Sequence, residues 1–479
     1  MEYKSRNLTM MTDLYELTMM YGYFKKNMTD TEAVFDLFFR ELDGQRSYAV
    51  MAGTESVIDY INNLEFTDDD ICYLRSLNLF DEDFLNYLAN FRFTGEIYAM
   101  PEGTIVYPRE PLIRVKAPIL QAQLIETTLL TLVNHQTLIA TKASRVKYAA
   151  GDSAVMEFGL RRAQGPDAGT LGARAAVIGG CMGTSNVAAG KLFDVAVAGT
   201  HAHSWVMSFP SELDAFRAYA ELFPASCMLL VDTYDTLKSG VPNAIKVFDE
   251  LKAKGYTPVG IRLDSGDLAY LSKQARKMLD DAGHTEARIF ASGDLDEFLI
   301  RELNAQGARI DVWGVGTKLI TSSDLPALGG VYKLAAEVIN GKIVPKIKIS
   351  ENPIKITNPG YKKVTRFYDE KGNAIADLIS LDEEKIDESQ PYTLTHPIYR
   401  YKKMTVSGYK TRELLVPLFV NGEQKYTSPS VKEICEYAER EKATFWDEYR
   451  RFVNPSIYKV DLSDRLYELK QTILSEHRR

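Results

Sequence analysis

The stretch Asp194-Val-Ala-Val-Ala-Gly-Thr-His-Ala-His-Ser-Trp205 shows the pattern on which this chain is built. An apolar run of strand character, residues 195–198, stops at a glycine and is followed at once by polar residues. Of the six histidines in the chain, His201 and His203 both lie here. Imidazole accepts a proton or a phosphoryl group near neutral pH. The stretch therefore predicts either a functional strand end or a surface turn with two histidines.

Further apolar runs after residue 153 end in the same way, and helical stretches separate most of them. The other polar or glycine-rich clusters are Glu157 to Arg162, Gly183 to Asn186, Asp232 to Asp235, Arg262 to Asp267, Ser292 to Asp294 and Gly314 to Lys318. Alternating strands and helices predict a parallel sheet. Polar residues at successive strand ends are typical of a β/α barrel, whose active site forms at the carboxyl face. We therefore predict an α/β fold in which residues 141–340 form an irregular (β/α) barrel or funnel with one shared site.

The two flanking regions show other patterns. Residues 1–140 mix helical periodicity with short strands broken by proline and glycine, which predicts an N-terminal α+β sandwich domain. Residues 341–479 are rich in strand signals and end in amphipathic helices, which predicts a C-terminal α+β appendage. Within it, Asn421-Gly422 between two apolar runs is a strong hairpin signal.

Composition narrows the function class. The 479 residues carry a formal net charge of −8, which argues against nucleic acid or a membrane surface as a partner. The four cysteines show no paired spacing, so neither a zinc site nor a disulfide framework is expected. The sequence shows no apolar signal segment and no run of membrane-spanning length, so we expect a cytoplasmic protein.

Two glycine-rich strand ends have the composition of a phosphate site. Gly293 belongs to the first, and Gly314, Gly316 and Thr317 belong to the second. Glycine lets backbone N–H groups approach an anion closely, and a following helix N-terminus favours negative charge. Together with Lys318 they predict a cradle for a sugar phosphate.

Charged residues at the strand ends predict pyrophosphate chemistry. The arginines Arg161, Arg162 and Arg262 offer forked donors to a carboxylate or a pyrophosphate. The nearby acids are Asp232, Asp235, Asp264 and Asp267, whose carboxylates suit Mg²⁺ that is shared with phosphate oxygens. The alternative is that one or two of the arginines only pair with these acids on the barrel rim.

Six motifs, in this order, resemble the nicotinate phosphoribosyltransferase family. They are Thr12-Asp13-Leu14-Tyr15, Glu157-Phe158-Gly159 with Arg161-Arg162, Gly199 to Ser204, Asp232-Thr233-Tyr234, Arg262 to Asp267 and Gly314 to Thr317. The resemblance implies a type II phosphoribosyltransferase fold. It also implies the conversion of nicotinate and 5-phosphoribosyl 1-pyrophosphate to nicotinate mononucleotide and pyrophosphate, coupled to ATP hydrolysis and supported by Mg²⁺. This reaction is the first step of NAD salvage from nicotinate.

Roles for single residues follow from the same resemblance. It implies that His203 is phosphorylated by ATP, and it leaves His201 without a role. It also implies that nicotinate contacts Tyr15, Thr200 and Arg262 and that Thr317 contacts the 5-phosphate of the sugar. From the strand-end clusters we further expect Arg161 at nicotinate, Asp232 and Asp264 in the catalytic set, and Arg162, Gly293, Gly314 and Gly316 at the phosphoribosyl pyrophosphate. Because Tyr15 is expected to reach the site of another subunit, the resemblance implies a homodimer.

Individual residues and short segments bear on the alternative functions. In nicotinamide phosphoribosyltransferase the counterpart of Ser185 looks like an aspartate, which suits an amide, so the uncharged Ser185 favours the acid as substrate. Residues 229–240 faintly resemble the acidic loop of type I phosphoribosyltransferases, but the rest of the chain does not fit those smaller proteins. A barrel lyase or aldolase would require a reactive strand-end lysine, for which only Lys318 is available. A barrel that only binds a nucleotide would not need the histidines.

Overall fold

The computed structural model describes residues 5–42 and 46–476 and contains helices and strands throughout. The α-helices are α1 Leu14–Lys25, α2 Thr54–Asn62, α3 Asp68–Ser76, α4 Glu82–Ala89, α5 Ile119–Leu124, α6 Glu126–Ala150, α7 Pro166–Gly179, α8 Val187–Phe193, α9 His203–Met207, α10 Glu212–Leu222, α11 Val241–Ala253, α12 Leu268–Asp281, α13 Glu297–Ala305, α14 Thr317–Ile320, α15 Val431–Ala443, α16 Asp447–Arg450 and α17 Asp464–Glu476. None of the helices within the described ranges is both long enough and apolar enough to cross a bilayer.

The strands are short in the middle of the chain and longer in the flanking regions. They are β1 Glu32–Phe39, β2 Ala49–Val50, β3 Glu96–Ala99, β4 Ile105–Val106, β5 Ile113–Pro118, β6 Ala154–Glu157, β7 Gly183–Thr184, β8 Met228–Leu230, β9 Gly260–Leu263, β10 Arg288–Gly293, β11 Val312–Val315, β12 Gly330–Ile339, β13 Lys342–Pro345, β14 Lys362–Tyr368, β15 Ala374–Leu381, β16 Tyr392–Thr395, β17 Lys403–Val406, β18 Lys410–Glu413, β19 Val416–Val420, β20 Glu423–Gln424 and β21 Val460–Leu462.

The chain forms two compact units. The first contains the residues up to Leu138 together with Ala327–Pro429 and the residues from Glu436 onward. The second contains Ile139–Pro326 and Ser430–Cys435. The C-terminal region thus shares a unit with the N-terminal region, whereas the sequence division into 1–140, 141–340 and 341–479 treats them as separate.

The first unit is built on an antiparallel sheet. Seven strands pair in the order β13-β12-β1-β5-β3-β19-β20, and β1 lies between β12 and β5. Both faces of β1 are buried, since five consecutive residues of this strand have less than a tenth of their surface exposed. The predicted hairpin is confirmed, because Asn421 and Gly422 have positive φ angles and join β19 to β20. A second sheet, in the order β18-β14-β15-β21, belongs to the same unit.

The second unit is built on a parallel sheet, as predicted. Its order is β7-β6-β11-β10-β9-β8, and each pair of neighbours is parallel. Apart from β7 and β8, which form the two edges, strands that follow each other in sequence are neighbours in the sheet, and the last strand, β11, pairs with the first, β6. All six carboxyl ends therefore face the same side, which is where the polar clusters lie.

The described residues form an open parallel sheet and no closed barrel, so the α/β prediction is confirmed and the barrel is not. The expected strand at residues 195–198 is reduced to one bridge, in which Val197 pairs with Thr184 of β7. The main chain reaches this bridge through Asp194, which ends α8 in a left-handed conformation with φ 52°. The open edge of the sheet lies between this bridge and β8.

Candidate active site

The carboxyl ends of the parallel strands surround a cleft of about 500 Å³ within the second unit. Ten of the residues that the sequence pattern selects line it. They are Arg161, Arg162, Ser185, Thr200, Arg262, Asp264, Gly293, Gly314, Gly316 and Thr317. Because parallel strands place their carboxyl ends at one edge, residues separated by up to 156 positions in the sequence meet here. The single site that the strand ends predict is therefore present in the fold.

His203 lies beside this cleft at the start of α9. Its Nδ1 atom is 3.1 Å from Oγ1 of Thr233, which follows β8, and its Nε2 atom is 3.8 Å from Oδ2 of Asp264. The longer distance is beyond hydrogen-bond range, so Nε2 has no hydrogen bond to Asp264. With 39% of its side chain exposed, His203 keeps this nitrogen accessible to a reactant.

Asp264 connects the histidine to an arginine. Its Oδ1 atom accepts hydrogen bonds from Nη2 of Arg262, at 2.7 Å, and from the hydroxyl of Ser292. Burial alone would raise the pKa of Asp264, but the Ser292 hydrogen bond and the Arg262 charge hold this pKa below its usual range. Asp264 is thus a carboxylate at neutral pH and places negative charge next to His203.

Arg262 is oriented by several neighbours. Its Nε atom donates to the Ser292 hydroxyl at 2.8 Å, and its Nη1 atom lies 3.4 Å from Oγ1 of Thr200. The guanidinium lies 5.9 Å from the centre of the Phe158 ring. The rim ion pair that the sequence leaves open as an alternative therefore exists for Arg262, but the same arginine also lines the cleft.

Arg161 and Arg162 differ from Arg262 in having no acidic partner among the described residues. Arg161 and Arg162 lie in a short 3-10 turn, Leu160–Arg162, directly after β6. Both are exposed, and neither has an ion-pair partner in the described parts of the chain. The turn is fixed from below by Glu157, which is fully buried and accepts hydrogen bonds from the Thr184 hydroxyl and the Gly159 N–H. Two free cations are thus held at the cleft by a rigid support.

The four acids at the strand ends divide into two pairs. Asp235 and Asp267 accept hydrogen bonds from backbone N–H groups at the starts of the helical turns that follow them, so their role is capping. Asp232 accepts from the Asp264 N–H and the Ser265 hydroxyl through Oδ2, while its buried Oδ1 has no partner among the described residues. Of these four acids Asp264 lines the cleft, whereas Asp232 is not among the lining residues and is joined to the cleft through the Asp264 N–H and the Ser265 hydroxyl.

A metal site made by the protein alone is not present in the described ranges, where no group of three or more acidic, histidine or cysteine side chains has metal-binding spacing. Mg²⁺ commonly uses only one or two carboxylates and takes its other ligands from phosphates and water. Asp232, with its unpartnered oxygen, and Asp264 fit this kind of site.

Glycine is required at the ends of β10 and β11 for two different physical reasons. Gly293 has φ +125°, a conformation that side chains other than glycine rarely adopt. At Gly314 a Cβ atom would come within 2.6 Å of the Phe158 ring, so glycine leaves room for that ring at the cleft wall. The group that closely approaches Gly314 is therefore the Phe158 ring of the protein itself, and not a phosphate.

Lys318 does not line the cleft. Its ammonium donates to Asp296 at 2.7 Å, and the same Asp296 caps the N-terminus of α13 through the Leu299 N–H. The charge expected from Lys318 in the phosphate cradle is thus matched by an acid. This pairing also removes the strand-end lysine that a Schiff-base lyase or aldolase would require.

Tyr15 belongs to the first unit, on α1, where 47% of its surface is exposed. It is absent from the set of described residues that line the cleft, so its contact with nicotinate stays a prediction. Three further residues take part in the site without an assigned role from sequence. Phe158, Thr233 and Ser292 all lie inside the predicted clusters, but nothing in the pattern distinguishes them from their polar neighbours.

Known proteins of one family are similar to this chain over nearly its whole length. Models of the nicotinate phosphoribosyltransferase N-terminal domain, family and C-terminal domain match residues 10–134, 153–375 and 361–470. A nicotinate phosphoribosyltransferase of Bacillus subtilis is 48% identical over 99% of this chain and 98% of its own length. The chain belongs to the nicotinate phosphoribosyltransferase family.

More distant members agree with this assignment. The human nicotinate phosphoribosyltransferase is 33% identical over 97% of this chain and 96% of its own length. A crystal structure of the human protein superimposes with a TM-score of 0.86 and covers 96% of this chain and 99% of that one. Membership of this enzyme family confirms the resemblance drawn from the six motifs, and it rules out the type I proteins and the barrel lyases as descriptions of this chain.

Proposed function

We propose that this chain converts nicotinate, 5-phosphoribosyl 1-pyrophosphate, ATP and water to nicotinate mononucleotide, pyrophosphate, ADP and phosphate. The observation that carries this proposal is the convergence of ten strand-end residues on one cleft with His203 beside it. The cleft combines free arginines, backbone N–H groups of glycine-rich ends and a histidine next to a carboxylate. These groups suit a phosphorylated sugar that loses pyrophosphate.

The ATP step uses His203 as nucleophile. Its neutral Nε2 attacks the γ-phosphorus of ATP, so a P–N bond forms, the P–O bond to ADP breaks, and ADP leaves. Asp264 stabilises the positive charge that the imidazole ring gains in this step, and Thr233 keeps the ring oriented through Nδ1. Water later cleaves the P–N bond and releases phosphate, which drives synthesis forward.

The transfer step replaces one bond at the sugar carbon. The ring nitrogen of nicotinate forms a bond to C1 of the ribose while the bond from C1 to the pyrophosphate oxygen breaks. Arg162 and the ends of β10 and β11 hold the phosphates, and Arg161 and Arg262, with Thr200, bind the nicotinate carboxylate. Mg²⁺, held by Asp232 and Asp264, would supply charge neutralisation for the leaving pyrophosphate.

The proposal includes a cytoplasmic homodimer in which Tyr15 completes the site of a second copy. Light scattering on the purified protein measures its mass directly. Co-expression of Tyr15→Ala with His203→Ala then tests sharing, because a mixed dimer would regain one intact site and with it ATP-stimulated activity. A monomer, or mixed dimers without recovery, would contradict this arrangement.

The deciding experiment is incubation with ATP labelled at the γ-phosphate, with turnover of nicotinate and nicotinamide measured in parallel. We expect an acid-labile, base-stable label on the wild type and none on His203→Ala. The variant should keep slow ATP-independent transfer and lose the stimulation by ATP. An equal stimulation of both proteins would refute the phosphohistidine, and faster use of nicotinamide than of nicotinate would refute the substrate.

Ser185 is proposed to set the choice of base. It lines the cleft directly after β7, and its N–H donates to the carbonyl of Glu157 at 2.9 Å, which fixes its position. Ser185→Asp places a negative charge where the nicotinate carboxylate is expected. We predict that the ratio of kcat/KM for nicotinate to that for nicotinamide falls by at least about tenfold. Ser185→Asn is the uncharged control, and an unchanged ratio in Ser185→Asp would show that this residue does not select the base.

A further inference from the structure

His201 has a contact that the reaction itself does not explain. It is 8% exposed, and its ring packs edge-on against Tyr219 of α10, with 4.7 Å between the ring centres. Its Nε2 atom lies 3.3 Å from the backbone nitrogen of Leu230, the last residue of β8. A side chain of one strand end therefore meets the main chain of another.

The partners of the ring decide its protonation. The Leu230 N–H can only donate, so Nε2 accepts, and the Ala202 carbonyl, 3.4 Å from Nδ1, can only accept, so Nδ1 carries the proton. The ring is thus neutral, and burial agrees with this, since it lowers the pKa of His201 to about 4. Because its Nε2 lone pair is engaged and the ring is buried, His201 is not suited to accept the phosphoryl group.

The contact occupies the open edge of the parallel sheet. In a parallel pair, alternate residues direct their backbone groups to the same neighbouring strand. The Val231 N–H donates to the Arg262 carbonyl of β9, so the N–H of Leu230 faces away from β9 and toward the open edge. On the opposite side of this edge, Ala196 and Ala198 use their backbone groups to pair with Thr184 of β7.

We propose that His201 is a positioning residue that fixes the turn carrying His203. At the open edge, where β8 has no neighbouring strand among the described residues, the His201 imidazole accepts the Leu230 N–H that such a strand would otherwise bind. The segment from the last residue of β8 to Thr233 holds both histidines, because the Leu230 N–H binds His201 and the Thr233 hydroxyl binds His203. Loss of the first contact leaves the Thr233 hydroxyl as the one hydrogen-bond partner that residues 230–233 offer to the two histidines in the described chain. This inference rests on the proposed role of His203 as the phosphoryl acceptor.

The experiment compares His201→Leu, which keeps bulk but has no acceptor, with His201→Gln, whose Oε1 can reach the Leu230 N–H. His135, a histidine in α6 whose buried Nε2 has no partner in the described residues, provides the matched control as His135→Leu. Two quantities are measured on each protein. One is the single-turnover rate of labelling by γ-labelled ATP, and the other is deuterium exchange of the peptide that contains Leu230.

We expect His201→Leu to release one additional slowly exchanging amide in this peptide and to slow labelling at His203 by at least about tenfold, since small misplacement of a reacting group is costly. ATP-independent transfer should stay within about twofold of the wild type, because that step does not use the His203 ring as nucleophile. His201→Gln should restore both the protection and the labelling rate, and His135→Leu should change neither.

Three results would overturn the proposal. They are unchanged exchange at Leu230 in His201→Leu, an equal loss of ATP-dependent and ATP-independent transfer in that variant, and label found on His201 itself. Failure of the proposed function is a separate result, because a wild type that takes no label refutes the phosphohistidine. In that case the exchange of Leu230 still decides whether His201 makes the contact.

Discussion

One arginine of the first unit and two arginines of the second unit show opposite uses of charge. In the first unit Arg366 of β14 is fully buried and donates to Asp377 at 2.7 and 2.8 Å, to Glu441 at 3.2 Å and to the Ile105 carbonyl at 2.7 Å. In the second unit Arg161 and Arg162 are exposed at a strand end without an ion-pair partner among the described residues. The same side chain is fully satisfied in one place and left free in the other.

This difference separates structural from functional charge. A buried ion is tolerated only when its hydrogen-bonding capacity is used, so Arg366 has nothing left to offer a ligand. A charge held at a cleft by a rigid support, without a partner, keeps its binding capacity for a substrate. Asp264 lies between the two cases, since Oδ1 is engaged by Arg262 and Ser292 while Oδ2 faces His203.

The largest effect is expected from the buried network. Arg366→Met leaves Asp377 and part of Glu441 uncompensated in the interior, and we predict a loss of about 3–5 kcal/mol in the free energy of unfolding. Urea unfolding followed by circular dichroism measures it. Arg75→Met, which breaks the exposed pair between Arg75 and Glu82, is the control and should leave the midpoint unchanged. Equal, small effects of both substitutions would remove the distinction between the two kinds of charge.

The next effect concerns activity and not stability. Asp264→Asn keeps the shape of the side chain but removes the charge next to His203 and Arg262, so we predict a fall of about 100-fold in ATP-stimulated kcat. The unfolding midpoint should change little, because a third of this side chain is exposed. Asp267→Asn is the matched control, since that acid caps α12 three residues later in the same motif. A similar loss of activity in both variants would contradict a specific role for Asp264.

Much of the distinction between structural and functional charged residues can be predicted from the sequence. The apolar runs and the polar residues that end them predict the parallel sheet and ten of the residues that line the cleft. The capping acids also carry a signal, since Asp267 directly precedes the apolar periodicity of α12, a typical helix start. Applying that signal to the four strand-end acids would have left Asp232 and Asp264 as the candidates for ligand binding.

The remainder depends on long-range contacts that no local pattern encodes. Residues 195–198 have strand composition, but the turn at Asp194 and the single bridge to Thr184 leave the sheet open. The pairing of Lys318 with Asp296 joins two strand ends, and the contact of His201 with Leu230 joins two others. Two histidines one residue apart are equivalent in sequence, and only their partners distinguish His203 from His201.

Arg161 and Arg162 offer a test within a single turn, with a smaller expected effect. Loss of one charge-assisted hydrogen-bonding group costs about 1.5–3 kcal/mol, so each alanine variant should raise one KM by at least about tenfold. We predict that Arg161→Ala raises the KM for nicotinate and Arg162→Ala the KM for phosphoribosyl pyrophosphate. Steady-state kinetics with each substrate varied in turn makes the measurement. Because each variant is the control for the other, identical changes in both would show that the two arginines have no separate roles.

The last test concerns an acid in the first unit that has no ion-pair partner among the described residues. Glu16 on α1 is fully buried and accepts hydrogen bonds from the Thr12 hydroxyl and from both the N–H and the hydroxyl of Thr127. Burial outweighs these hydrogen bonds and raises the pKa of Glu16 to about 7, from an ordinary value of 4.5. A group with a raised pKa stabilises the fold below its unfolded pKa, and this contribution is lost as the pH rises through the folded pKa.

The stability of the wild type should therefore fall between pH 4.5 and 7 with a slope from Glu16 of at most about 1.4 kcal/mol per pH unit. Glu16→Gln keeps an oxygen for Thr127 and presents an amide to the Thr12 hydroxyl, so it should remove this slope and be the more stable protein above pH 7. Urea unfolding at several pH values, with the exposed Asp69→Asn as control, makes the comparison. A parallel pH dependence in wild type and Glu16→Gln would mean that this buried acid does not change its protonation between pH 4.5 and 7.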